Sequence, residues 1–228
     1  MRYRALRRCL PGPLYRHILH FEASIQEAVA RLARELPEGA GVLDAGAGEG
    51  IYAPWFSHCR YVGVDLAIGQ PDWDYSRLDV IADLGALPFS ANCFQACLNV
   101  VTLEHLCDPA RALAEIARVL VPGGRLLLVV PQEWEVHQAP HDYFRFTRYG
   151  VELLLRQAGF ASFRIEPVGG FFRLLSRRLW NALQFFRGPW WTPAALLVAP
   201  PALLLPALEF LDRERHFTLG YICWASKS

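Results

Sequence analysis

Two groups of residues in this 228-residue chain have types and spacings that could do chemistry. The first is Asp44-Ala45-Gly46-Ala47-Gly48-Glu49-Gly50, which follows the apolar run Gly41-Val42-Leu43 and leads into a segment, Ile51 to His58, that suits a helix. Glycines there let the backbone turn sharply and let a ligand approach where a Cβ would stand in the way. A tight structural turn alone would use the same glycines, but two acids accompany these. Asp44 precedes them at the strand end, and Asp65 closes the next apolar run, where a carboxylate can accept both hydroxyls of a ribose. A dinucleotide turn sets its third glycine three residues after the second, beside a pyrophosphate. Here the glycines fall at 46, 48 and 50, and Glu49 would repel a diphosphate. A ligand with a ribose, a cationic end and no phosphate fits better.

The second group lies between Pro131 and Thr147, a polar and aromatic stretch longer than most connections in a compact domain. His137, His141 and Asp142 are candidates for a base, and Tyr143 and Arg145 could orient a polar or anionic substrate. His141 with Asp142 as its orienter is one reading, although neighbours in an extended loop point to opposite sides. A loop latch is the other, with Asp142 pairing Arg145 and Thr147 capping the next helix. Glu133, His137 and His141 are spaced by four, which on a helix would resemble a metal site. Pro131 and Pro140 argue against a helix, so no metal is expected.

The elements that must position these groups can be read from periodicity. Phe21, Ile25, Val29, Leu32 and Leu36 recur at helical spacing, and Pro37-Glu38-Gly39 ends that helix. Short apolar runs at 41–44, 61–65, 78–82, 94–100, 125–130, 160–168 and 216–226 read as strands, with helices at 109–120 and 150–158 between them. Strands that are almost wholly apolar and alternate with helices imply a parallel sheet covered on both faces. In such sheets ligands bind beyond the carboxyl ends of the strands, where Asp44, Asp65, Asp83 and Asn99 all fall.

S-adenosylmethionine has the ribose, the cationic end and the missing phosphate that the glycine turn asks for. The chain resembles the class I S-adenosylmethionine-dependent methyltransferases of the type 11 group in VLDAGAGEG (42–50), VGVDL (62–66), VIADLGALPF (80–89), LEHLCDP (103–109), ALAEIARVLVPGGRLLLVVP (112–131) and LLLRQAGF (153–160). The resemblance covers about residues 40–168 plus the final strand. It implies an α/β fold: a Rossmann-like seven-stranded sheet with helices on both faces and an antiparallel last strand. It also implies S-adenosyl-L-methionine as cofactor, with Asp44, Gly46 and Gly48 at the methionine moiety, and Asp65 at the ribose with Leu66 among the contacts. Asp83 and Leu84 would then sit at the adenine, Asn99 would face the cofactor, and His105 would lie near cofactor or substrate. Glu104-His105 serves equally well as a helix-start pair. HDYFRFTRYG resembles a subgroup taken to act in cell-envelope or glycan pathways.

Residues 1–168 plus 216–228 are expected to form the methyltransferase domain, with 1–38 a basic, helical extension. Residues 169–215 read as an apolar helical insertion between strands six and seven. Within it Phe172, Leu175, Leu179, Leu183 and Phe186 share one face, and Arg173 and Arg177 lie on the other. Trp190 to Leu208 then runs 19 residues without a charge. About 20 apolar residues can span a bilayer, but Pro200-Pro201 is expected to split the run, and the last strand must return to the sheet. A hairpin dipping into one leaflet through 172–208 is therefore expected, with tandem tryptophans and arginines at the interface. A helical lid or a homodimer contact would bury the same residues.

Composition narrows the classes. With 53% hydrophobic residues the chain is neither disordered nor fibrous. Net charge is +1, and no basic stripe crosses the presumed active face, so nucleic acid is not an expected partner. Five arginines in residues 1–20 (Arg2, Arg4, Arg7, Arg8, Arg16) and four in 167–208 make the flanks basic. Six scattered cysteines and no secretory signal point to a reducing, cytoplasmic setting, at the inner face of the membrane if the hairpin reading holds. The expected function is methyl transfer to a small or lipid-linked acceptor, by O-methylation in an envelope or glycan pathway. Alternatives are a quinone-ring C- or O-methyltransferase and a non-catalytic, membrane-attached S-adenosylmethionine-binding assembly factor.

Overall fold

The computed structural model describes residues 11–69 and 71–228; Arg2, Arg4, Arg7, Arg8 and Cys9 lie outside them. Seven strands form one sheet: β1 (Gly41–Ala45), β2 (Arg60–Asp65), β3 (Val80–Ile81), β4 (Phe94–Val100), β5 (Leu120–Pro131), β6 (Phe160–Val168) and β7 (Gly220–Lys227). Their order is β3-β2-β1-β4-β5-β7-β6, and the last strand is antiparallel. β1 pairs in parallel with β2 on one side and β4 on the other, so the direction of winding reverses beside β1. That reversal opens a crevice at the carboxyl ends of β1 and β4. Every residue of β1 is buried, as expected for a strand covered on both faces.

Helices α1 (Gly12–Ile18) and α2 (His20–Glu35) precede β1 in the chain, and helix α3 (Pro109–Val119) shows how the sheet is covered. Its Asp108 side chain accepts the Arg111 N–H at 3.0 Å, with Pro109 at the first helical position. Leu113, Ile116 and Ala117 then fall on one face and join Leu43, Val64, Leu126 and Leu128 in the core. Helix α4 (Arg148–Gln157) starts under the Thr147 hydroxyl, which accepts the Gly150 N–H at 3.1 Å, and buries Val151 and Leu155.

Several elements differ from the sequence expectation. Residues 51–58 do not form a helix; a single 3-10 turn, Ala53–Phe56, stands there. Pro54 removes a donor, and the backbone bonds Ala53 N to Gly50 O and Trp55 N to Tyr52 O close three-residue turns. β3 shrinks to two residues, paired Val64 to Val80 and Asp65 to Ile81. β5 begins five residues early: Phe94 pairs Leu120 and Ala96 pairs Arg125, so Pro122-Gly123-Gly124 is accommodated as a bulge with Gly123 at φ 74°. β7 starts at Gly220, not 216.

Two compact units emerge, one of residues 27–166 with 221–228, and one of 167–220 with the described residues 11–26. The N-terminal extension was expected to accompany the sheet; its described part before Glu27 groups with the insertion instead. In that second unit α5 (Phe171–Ala182) runs antiparallel to α6 (Trp191–Leu204) and the 3-10 stretch Leu205–Leu211. Asp212 accepts the Phe171 N–H at 2.6 Å and Glu209 the Arg173 N–H at 3.0 Å, placing two acids on the N-terminus of α5. Ser176 donates to the Ala202 carbonyl at 2.6 Å, and buried Arg177 donates to Glu22 at 2.7 Å. Contrary to expectation, Pro200-Pro201 does not break the run, since α6 continues through both. The carbonyls that those prolines leave without an intrahelical donor belong to Leu196 and Leu197, both exposed residues.

Candidate active site

The glycine turn closes the carboxyl end of β1. Gly46, Gly48 and Gly50 have φ of 89°, 54° and 65°, the left-handed region that a side chain would strain. Gly46 and Ala47 N–H donate to the Val64 carbonyl at 2.8 and 3.0 Å, tying the turn to β2. A Cβ on Gly46 would run into Thr102, whose hydroxyl donates to the Gly46 carbonyl at 3.3 Å. A Cβ on Gly48 would stand 3.2 Å from the ring of Trp73. The glycines therefore let Thr102, from the end of β4, and Trp73, from the loop after β2, close in on the turn and wall a cradle at the carboxyl end of β1.

Polar groups converge on that cradle. Asp65 accepts the Gly48 N–H at 2.9 Å through one oxygen and the Ala67 N–H at 2.8 Å through the other. Backbone donors thus fix the carboxylate and leave its remaining lone pairs for a ligand. Asp44 is buried and takes a hydrogen bond from the Tyr61 hydroxyl. Burial pushes its pKa up to about 7, with the Asp65 charge adding and the Tyr61 bond opposing. Asn99 is fully buried; its amide donates to the Ala45 carbonyl at 2.8 Å, and its side-chain oxygen has no hydrogen-bond partner among the described residues. Asp44, Gly46, Gly48, Asp65 and Asn99 are thus brought together around one turn, with Leu66 exposed next to Asp65. Asp83 is exposed and accepts the Gly85 N–H at 2.8 Å, whereas the Leu84 side chain enters the core. A glycine turn walled by an aromatic ring, two carboxylates and a buried amide oxygen without a partner among the described residues fit a nucleoside with a cationic tail.

The second group is assembled by the loop after β5 folding back on the end of β4. The Glu104 carbonyl accepts the Tyr143 and Phe144 N–H at 2.9 and 3.2 Å. Asp142 does not orient His141. It accepts the His137 backbone N–H at 2.8 Å and both arms of the Arg145 fork at 2.6 and 2.8 Å, which is the latch reading. Arg145 holds the Asp142 carboxyl down at about 2, with the bond from the His137 N–H adding. His141 Nδ1 lies 3.0 Å from the Tyr143 hydroxyl instead. His105, His137 and Glu104 form a compact group, the two rings edge to face at 4.6 Å. The Glu104 side chain is fully buried. Burial pulls the His137 pKa down, but the Glu104 carboxylate and the Glu135 carbonyl outweigh it and leave it raised; for His105 burial wins and lowers it. His105 N–H donates to Thr102 O at 2.9 Å, so this group stands next to the residue packed on Gly46. Sequence reasoning missed Trp73 and Thr102. A tryptophan in the polar loop directly after the β2 acid was the available sign of the first; the second has none without the fold.

Comparisons with known proteins agree with this geometry. Residues 43–128 match the family described as "Methyltransferase domain". The tRNA (carboxymethyluridine(34)-5-O)-methyltransferase of Arabidopsis thaliana is 31% identical over 115 residues, 48% of this chain and 28% of that protein. The demethylmenaquinone methyltransferase of Renibacterium salmoninarum is 33% identical over 100 residues, 40% of each chain. The chain thus spans less than half the length of these curated relatives. Among solved structures, the 1,6-didemethyltoxoflavin-N1-methyltransferase of Burkholderia thailandensis, with 1,6-didemethyltoxoflavin and S-adenosylhomocysteine bound, aligns with a TM-score of 0.54 at 21% identity. That alignment covers 99% of this chain and 89% of the other, and it shows a shared fold.

Proposed function

From the premise that residues 43–128 are a methyltransferase domain within a class I methyltransferase fold, we propose that this protein is an S-adenosylmethionine-dependent O-methyltransferase acting on a small or lipid-linked acceptor of a cell-envelope or glycan-type pathway. The observation that carries the reading is the glycine cradle with Asp65 fixed across it by the Gly48 N–H. Bound there, S-adenosylmethionine supplies an electrophilic methyl group on a sulfonium. Asp65 takes the ribose hydroxyls, and Asp44, once ionised, meets the cationic amino group. His141, held by Tyr143 on the loop over the strand ends, is the base for an acceptor hydroxyl. His105 and His137 line the same region.

The lipid-linked acceptor is supported by the second unit. Gly188–Leu211 is long and apolar enough to cross a membrane, yet only 17% of its most apolar window is buried. We read it as a hairpin lying in the inner leaflet, its arginines toward anionic headgroups, which sets the enzyme at the cytoplasmic face. A homodimer contact is the competing use of the same surface. The likeness to the demethylmenaquinone enzyme favours a second reading, a quinone-ring methyltransferase, whose acceptor is also greasy.

Methyl-labelled S-adenosylmethionine incubated with the protein and a membrane fraction tests the proposal. Label in the organic phase is expected, and the labelled lipid separates the glycan-lipid from the quinone reading. Label confined to the aqueous phase removes the lipid acceptor. Asp65→Ala should weaken cofactor binding at least about 10-fold, given what a hydrogen bond to a charged group is worth; unchanged affinity by calorimetry sinks the ribose assignment.

A further inference from the structure

We propose that Glu104, His105 and His137 form a binding site for a first-row divalent cation, zinc foremost. Both oxygens of Glu104, Nε2 of His105 and Nε2 of His137 are buried and have no hydrogen-bond partner among the described residues. Glu104 Oε1 lies 3.7 Å from each Nε2, too far for a hydrogen bond. One ligand atom from each of the three residues lies within 4.8 Å of the others.

The rest of each ring is already committed. His105 Nδ1 bonds the His141 carbonyl, and His137 Nδ1 lies 3.1 Å from the Glu135 carbonyl. Carbonyls only accept, so each Nδ1 that faces one carries a proton, and Nε2, the inward atom of each ring, is the one left to bind a metal. Two imidazole Nε2 atoms and a carboxylate thus face one another, buried and without hydrogen-bond partners among the described residues. A cation resolves that arrangement. The carbonyls that fix the tautomers play the outer-shell role usual for metal-bound histidines. Ligands about 2.0–2.2 Å from a tetrahedral ion stand roughly 3.3–3.5 Å apart, so the carboxylate oxygen, 3.7 Å from each Nε2, needs to close by only a few tenths of an ångström, and the two rings, within 4.8 Å of one another, close further through rotation of the loop histidine.

Two imidazole nitrogens and one carboxylate suit zinc, cobalt or iron(II) better than magnesium, which prefers oxygen. Three protein ligands leave at least one position open to water or to an oxygen of a bound molecule. The site uses His137, but with Glu104 and His105 brought to it by the loop, not with Glu133 and His141 at helical spacing. Its use in positioning an acceptor oxygen rests on the proposed methyl transfer; binding of the cation does not.

The test uses metal-stripped full-length protein, titrated with zinc against a chromophoric chelator and with cobalt followed by visible absorption. One equivalent per chain is expected, with a cobalt d–d band. Glu104→Gln and His137→Gln should each weaken binding by about 100-fold or more, while Asp65→Ala and His141→Ala bind as the parent does. Circular dichroism checks each fold, and His137→Gln, on the loop, decides if Glu104→Gln does not fold. Absence of stoichiometric binding, or affinity unmoved by the ligand variant, overturns the site. Cofactor affinity measured in the same preparations keeps the two ideas apart: Asp65→Ala loses the cofactor and keeps the metal, and a failed metal site leaves cofactor binding intact.

Discussion

Asp44 is where one residue's environment sets a measurable behaviour. Its folded pKa of about 7 stands above the ordinary 3.8, so between those values the native state holds a proton that the unfolded chain has lost. Stability therefore falls as pH rises through that window, and the carboxylate is held at a cost above it. A cationic ligand reverses the balance, because ionised Asp44 then has a partner. Affinity for S-adenosylmethionine should accordingly climb with pH and level off above about 7. Tyr61→Phe removes the hydrogen bond that favours the ionised form, so the midpoint of that climb should move up by roughly one to two pH units. Calorimetry from pH 5.5 to 9 reads it, and a midpoint unmoved by the substitution would take Asp44 out of contact with the ligand. Much of this was legible beforehand, since Asp44, Gly46, Gly48 and Asp65 lie within one turn and the strand beside it. Asp142 was legible only as a choice between orienting His141 and latching Arg145. The backbone settled it by carrying the His137 N–H to the Asp142 carboxylate.

At the scale of elements, the loop between β5 and α4 depends on one guanidinium. Arg145 grips both oxygens of Asp142 and donates to the carbonyls of Trp134, Glu135 and Phe144. Those bonds tie both limbs of the loop together. Arg145→Gln loses the fork and should lower turnover about 10- to 100-fold, the usual cost of misplacing reacting groups. Acceptor KM should rise while cofactor Kd stays within about twofold, because the glycine cradle is built from other strands. Arg145→Lys should rescue little, since a single ammonium cannot bridge the same set. If cofactor binding fell in parallel with turnover, the loop would be shaping the cradle as well. The strands and the long helices were legible from apolar spacing, and Thr147 was recognisable as a cap. The lost helix at 51–58 was not, because its apolar residues mimic a helical face and Pro54 sits where a proline is normally tolerated. The bulge in β5 escaped for another reason: Pro122-Gly123-Gly124 reads as a turn unless the pairing of Phe94 with Leu120 is known.

At the scale of the whole molecule, the two units differ in what they do with apolar surface. The sheet unit hides it: Leu43, Leu113, Leu126 and their neighbours are all but inaccessible. The hairpin unit displays it, with Trp190 72%, Leu196 72%, Leu197 78% and Phe210 72% exposed. Soluble monomers rarely carry so contiguous a patch, which marks a surface awaiting lipid or protein. That the run is apolar was evident from sequence; that it holds together as α5 against α6, with the prolines inside the helix, was not. Leu196→Glu with Leu197→Glu separates the possibilities, because both side chains point outward and their replacement leaves the packing beneath them intact. Flotation on vesicles containing anionic lipid should fall at least about 10-fold, as a charge in an apolar layer costs on the order of 2–3 kcal/mol near its centre and less toward the interface. The melting temperature should hardly move. If flotation persists, the membrane contact lies elsewhere. If instead the variant changes only its elution volume, the apolar face joins two copies of the chain, and a lipid-linked acceptor loses its structural support.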